Sequence, residues 1–273
     1  MGTSSSYGGP KGKNPLLPND FDDNGNDNEN PLKNSKNNED EQPKNINPNT
    51  ELWKTVKTLT SKLVKGTIKN NRTVLSKYVK AHGGAKKTAS TAKAGKATTK
   101  NLGGFLTGIT QQGIKDTFQQ LRIDYENKSV EEVLSETVNQ LAPSGNTKEE
   151  VIARNAILDV LENLYEDIEK NDGDLTILEK LNDEKFNNLM RKYISSYIFH
   201  RFLSDLESRF EKNAKSTESA LQIENDIKEY ISGVVDNKLK GQNLATYDYS
   251  SDKIQGVIEN IYFDCYEIIE NIL

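Results

Sequence analysis

The chain offers few side chains that could carry out chemistry, and their types and spacing rule out most of the usual sites. It has two histidines, His82 and His200, and a single cysteine, Cys265. A structural zinc site takes most of its ligands from histidine and cysteine, so these are too few to build one. His200 stands between Phe199 and Arg201 with no Ser or Cys nucleophile in a recognisable relation to it, which reads as a structural histidine. Cys265 sits among Ile261, Tyr262, Ile268 and Ile269 and reads as a core residue. The acidic pairs Glu131-Glu132, Glu149-Glu150 and Glu166-Asp167 are adjacent in sequence, so on a helix they point in different directions. Gly95-Lys96 is followed by Ala97 and lacks the upstream glycine of a phosphate-binding loop. Asp20, Asp22, Asn24 and Gly25 fit the first half of a calcium loop, but its twelfth position is Pro31 where a bidentate Glu is needed. No catalytic residue, metal site or cofactor is expected, and the chain reads as a non-enzyme.

One reactive group remains. Gly2 follows Met1, and removal of the methionine would expose an unhindered glycine α-amine on the segment Thr3, Ser4, Ser5, Ser6, Tyr7, Gly8, Gly9, Pro10. These residues are too small and polar to fold alone, so they read as an exposed handle for another protein. Met1-Gly2 with Ser6 also matches the myristoylation pattern, which is too short to be specific.

The second candidate is electrostatic. Residues 1–50 carry 5 Lys/Arg and 8 Asp/Glu, residues 51–128 carry 16 and 4, and residues 129–273 carry 15 and 29. The formal charge of -5 therefore hides a basic middle and an acidic end. Within the basic part, Lys86, Lys87, Lys93, Lys96 and Lys100 lie among Gly, Ala and Thr, a composition able to attract phosphates. No zinc-finger spacing, recognition helix or aromatic-basic RNA motif accompanies them. Nucleic acid is thus one candidate partner, and the chain's own acidic half or an acidic protein is the other.

The elements that would position these groups divide the chain into three stretches. Residues 1–49 are rich in Asn, Asp, Lys and Pro and read as a flexible tail. Residues 50–128 begin with a helix, capped at Asn49 or Thr50, whose apolar residues Leu52, Trp53, Val56, Leu59, Leu63 and Val64 recur at three- and four-residue steps. After an interruption at 66–71 the helix resumes over 73–80, followed by the Gly/Ala/Lys-rich segment, in which Gly104 and Gly108 suggest close helix packing. Residues 129–273 carry the clearest helix signals: Ser129 as a cap, Thr147 with Glu150 as a capping box, a stop at Asn171-Asp172-Gly173, and starts near Asp183, Thr217 and Ser251. No stretch alternates with strand period, so the fold class is all-α, with an acidic helical bundle at the end. An apolar fraction of 34% and the lack of any apolar run of membrane-spanning length point to a cytoplasmic protein that does not enter a membrane.

Met1-Gly2-Thr3-Ser4-Ser5-Ser6-Tyr7-Gly8-Gly9-Pro10, with Asn14-Pro15-Leu16-Leu17-Pro18 behind it, resembles the start of QatB proteins of the Qat anti-phage defence systems, and Leu102-Gly103-Gly104-Phe105-Leu106 is similar to a second block of that family. The Gly/Ala/Lys-rich stretch that ends in these residues is lysine-rich where the family leads one to expect more arginine. The resemblance implies a component with no assigned enzymatic activity, working beside a predicted ATPase, a QueC-like enzyme and a TatD-like nuclease. QueC enzymes activate a 7-deazaguanine carboxylate with ATP and pass it to an amine, and that chemistry makes the Gly2 amine the implied acceptor.

Overall fold

A computed structural model describes residues 48–126 and 128–271, and the Gly2-to-Pro10 tail lies outside the described residues. Ten α-helices and two short 3-10 helices account for 79% of the described residues, with no strand among them. In chain order the α-helices are α1 (Pro48–Val64), α2 (Asn71–Ala81), α3 (Ala85–Thr91), α4 (Lys93–Gln112), α5 (Ile114–Gln120), α6 (Val130–Leu141), α7 (Lys148–Glu169), α8 (Asp183–Asn213), α9 (Thr217–Lys238) and α10 (Ile254–Asn271). The 3-10 helices, Leu175–Lys180 and Leu244–Thr246, join α7 to α8 and α9 to α10.

Local chemistry sets the boundaries. Ser129 accepts from the Glu132 backbone N–H while the Glu132 side chain accepts from the Ser129 N–H, and Thr147 and Glu150 form the same reciprocal cap on α7. The α7 exit carries Asp172 at φ 56° and Gly173 at φ 75°, left-handed positions that end the helix. At the start of α1 the helix begins at Pro48, slightly earlier than the Asn49 or Thr50 cap that the sequence suggests. Proline's fixed φ suits a first helical turn, where its missing N–H is not needed.

α8 is the longest element, 31 residues and about 46 Å. It packs against α1, α4, α7 and α9, while α10 covers α2, α3 and α4. Phe186, Met190, Tyr193, Ile194, Tyr197, Phe202 and Leu206 run its length at zero to 2% exposure, so α8 supplies a spine on which helices from both sides of residue 128 share one core. Residues 45–273 form one unit by backbone contacts. The sole tryptophan, Trp53, packs edge-on against Tyr78 and His82 with ring centroids 5.8 Å and 4.9 Å apart, the packing role its place in α1 suggests. Cys265 is fully buried, and burial pushes its thiol up to about 12.

Candidate functional site

The Gly/Ala/Lys-rich stretch becomes α3 and α4, and half of the residues of α4 are buried. Its small residues exist to admit aromatic rings. A Cβ on Gly95 would lie 2.5 Å from the Tyr197 ring, and one on Gly103 would lie 2.1 Å from the Tyr249 ring. Tyr193 donates to the Gly95 carbonyl at 3.3 Å, and the Thr99 and Tyr262 hydroxyls are 3.0 Å apart. In the block Leu102–Leu106, Leu102, Phe105 and Leu106 enter the core and Gly103 lies beneath Tyr249. Gly108 meets α5, where an added Cβ would come 2.9 Å from the Thr117 hydroxyl. The Gly104-x-x-x-Gly108 step therefore does bring helices close, but only at its second glycine.

None of α3, α4 and α5 has a side-chain cap at its own N-terminus. Each borrows a carboxylate from the acidic part. Glu270 of α10 accepts from Ala85 N–H at 2.8 Å, Glu149 of α7 accepts from Ala94 N–H at 2.8 and 2.9 Å and from Gly95 N–H at 3.2 Å, and Glu179 accepts from Ile114 N–H at 2.8 Å. Tyr197 adds an O–H donor to Glu149 at 2.6 Å. The unsatisfied amides of a helix start and the positive end of its dipole both favour such a negative partner. At the other end of α3, the buried Arg201 guanidinium donates to the Thr88 carbonyl at 2.8 Å and to the Thr91 hydroxyl at 2.7 Å. Sequence reading missed Glu149, Glu179, Glu270 and Arg201. The signal available was negative: Gly84 and Gly113 stand where a Ser, Thr or Asp cap would be expected.

The five lysines named for nucleic-acid contact do not share one surface. Lys86, Lys87 and Lys93 are exposed. Lys96 is 7% exposed, with its ammonium 2.9 Å from Glu259 and 3.4 Å from the Ser90 carbonyl. Lys100 is half-buried at the edge of a groove. That groove, of about 690 Å³, runs over the open side of α4 between α5, α6 and the segment around Asp248. Gly104 and Gly108 lie along it, with Gln111, Gln140, Thr246 and Ser250 presenting amides and hydroxyls. It offers donors and acceptors to a polar guest.

Both histidines are held by aspartates. His82 Nε2 lies 3.1 Å from Asp205, which also accepts from Tyr78 at 2.8 Å and Lys148 at 2.7 Å. His200 Nε2 lies 3.1 Å from Asp159, which accepts from Ser196 at 2.9 Å. Ser196, Asp159 and His200 have the composition of a hydrolytic triad but the wrong order, because the serine donates to the carboxylate and not to the imidazole. Burial alone would raise both carboxyls. Hydrogen bonds from His200 and Ser196 and the nearby Lys228 charge outweigh it and pull Asp159 down to about 2, while His82, Lys148 and Tyr78 hold Asp205 well below the usual range. A depressed carboxyl stabilises the fold above its unfolded pKa, about 3.9, and that stability is lost as pH falls toward the folded value. The urea midpoint is therefore expected to hold near neutrality and to drop below about pH 4, and less steeply in Asp159→Asn; an unchanged acid slope in that variant would refute the assignment.

Among the described residues, no group of three or more His, Cys, Asp or Glu is placed to hold a metal, and no helix is long and apolar enough to cross a membrane. The molecule is thus an all-helical body in which a basic segment is capped by its own acidic half. Residues 83–269 match the family model described as Qat anti-phage system associated protein QatB, and the chain belongs to the QatB family. The matched region holds the Leu102–Leu106 block together with Glu149 and Glu179, the carboxylates that cap α4 and α5. No curated protein and no solved structure matches the chain.

Proposed function

We propose that this chain is the non-catalytic component of its Qat system, acting as a scaffold and as a protein substrate whose Gly2 α-amine is acylated by the QueC-like partner. The observation that carries this reading is membership of the QatB family over residues 83–269, in a chain whose first residues are Met1-Gly2 followed by Thr3 to Pro10. The chemistry is balanced. The partner would activate a 7-deazaguanine carboxylate with ATP, forming an acyl adenylate and releasing diphosphate. The Gly2 amine would then attack the acyl carbon, form an amide and release AMP and a proton. Thr3 to Pro10 would supply recognition and reach into the partner's active site. The helical body would bind the ATPase or the TatD-like nuclease. An anchoring role of this kind suits a body whose helix ends are tied across its whole length by Glu149, Glu179 and Glu270.

Intact mass measurement of the chain co-expressed with the QueC-like partner tests the proposal. A single added acyl group on Gly2 is expected. Gly2→Glu, whose bulk blocks removal of Met1, is expected to abolish both the addition and defence while leaving the melting temperature unchanged. An unmodified N-terminus in the presence of an active partner would overturn the substrate role.

A further inference from the structure

The face between α8 and α9 holds a pocket of about 310 Å³ that the reading above does not use. Arg191, Lys192, Ser195 and Ser196 come from one face of α8, at the helical steps that align side chains, and Lys228 and Ser232 come from one face of α9. Three cationic side chains and three hydroxyls thus converge on one cavity of small-molecule size.

Two of the cations lack an acidic partner. Among the described residues, neither Arg191 nor Lys192 has a carboxylate within ion-pair distance, although the neighbouring helices are rich in them. Arg191 Nε is buried with no hydrogen-bond partner, and its Nη1 reaches only the Asn188 amide oxygen at 3.4 Å. The guanidinium that lines the pocket thus has one long contact to a neutral amide and is short of acceptors for its remaining N–H groups. Lys192 Nζ donates to the neutral Asn163 amide oxygen at 2.5 Å. Burial, with a smaller contribution from the Lys228 charge, outweighs the pull of Asp159, Glu162 and Glu166 and lowers its pKa, the shift an anion in the pocket would reverse.

The acidic groups near the pocket are already engaged. Asp159 accepts from Ser196 and lies 3.1 Å from His200 and 3.4 Å from Lys228. Asp236 is exposed at the rim, 3.5 Å from the Ser232 hydroxyl. The three serine hydroxyls already donate, to the Lys192 carbonyl, Asp159 and Asp236, so the donors left for a guest are the guanidinium and ammonium groups, which a tetrahedral oxyanion satisfies together.

We propose that this α8–α9 pocket binds a phosphoryl group, either free phosphate or the phosphate of a nucleotide, with Arg191 and Lys192 as its principal cationic contacts. The assignment stands independently of the Gly2 reading.

Titration of the full chain with inorganic phosphate, with AMP and with chloride at matched ionic strength, followed by NMR on the amides of α8 and α9, tests it. Saturable shifts with phosphate or AMP and none with chloride are expected. Arg191→Gln and Lys192→Gln are each expected to weaken binding about tenfold or more, the loss of one charge-assisted contact. Equal affinity for phosphate and AMP would identify a free-phosphate site, and tighter AMP binding a nucleotide site; both support the assignment. If Arg191→Gln does not fold, Lys192→Gln, at a partly exposed position, decides the matter. Absence of saturable shifts at about 10 mM of either phosphate, or shifts unaltered by the substitutions in folded protein, overturns it.

Discussion

Gly103→Ala is expected to destabilise the protein by about 2–3 kcal/mol, whereas Gly104→Ala, one position along the same helix, is expected to stabilise it by about 0.5–1 kcal/mol. The two glycines share a helical backbone, so the intrinsic gain from replacing glycine by alanine is the same at both. What differs is the space outside. At Gly103 the new methyl would lie 2.1 Å from the Tyr249 ring, which is 5% exposed and tied by its hydroxyl to the Leu244 carbonyl at 3.0 Å. The ring cannot swing away without breaking that bond, so helix and 3-10 segment must separate. At Gly104 the nearest atom is Tyr249 Cβ at 4.0 Å, an ordinary contact. Chemical denaturation of the two variants measures the contrast. A like-signed change in both would show that Tyr249 does not rest on Gly103.

Glu149→Ala is expected to cost about 3 kcal/mol, with Glu149→Gln losing less and Tyr197→Phe about 1 kcal/mol. One carboxylate serves two backbone amides of α4 and the Tyr197 hydroxyl. Its removal leaves three donors at the start of a largely buried helix without their acceptor, and hydrogen bonds to a charged group are the stronger kind. Glutamine keeps one acceptor oxygen but not the charge that complements the helix dipole. Urea midpoints of the three variants give the ranking. Equal midpoints for Glu149→Ala and the parent would mean that α4 does not depend on the cap.

The acidic part was readable in sequence to a fine grain, because its helices carry their own punctuation. Ser129 with Glu132 and Thr147 with Glu150 are local signals, and the structure forms both capping boxes. The basic part was readable as helical, but the reason for its composition was not. Gly95 and Gly103 are small because of Tyr197 and Tyr249, each more than 100 residues away, and no local pattern announces a ring arriving from that distance. The same holds for Lys96, whose partner Glu259 lies far along the chain, so a buried lysine paired with an exposed glutamate looks in sequence like one more surface lysine. For the candidate site, the Gly2 amine was found by elimination and resemblance and lies outside the described residues. The α8–α9 pocket was invisible, since Arg191, Lys192 and Lys228 look in sequence like ordinary charges on long amphipathic helices.

The borrowed caps also set an order of events during synthesis. Ala85 receives its acceptor from Glu270, and the Ser76 hydroxyl donates to the Glu270 carbonyl at 2.6 Å. The early helices α2 and α3 thus leave the ribosome about 185 residues before the group that completes them, which at 5–20 residues per second is a wait of roughly 10–40 s. During that interval an unneutralised basic segment is held open, with 14 Lys/Arg and no Asp/Glu between positions 52 and 115. A chain stopped short of α10 would keep that segment open permanently, so nonsense changes late in the gene should release a cationic, aggregation-prone fragment instead of a slightly shortened protein.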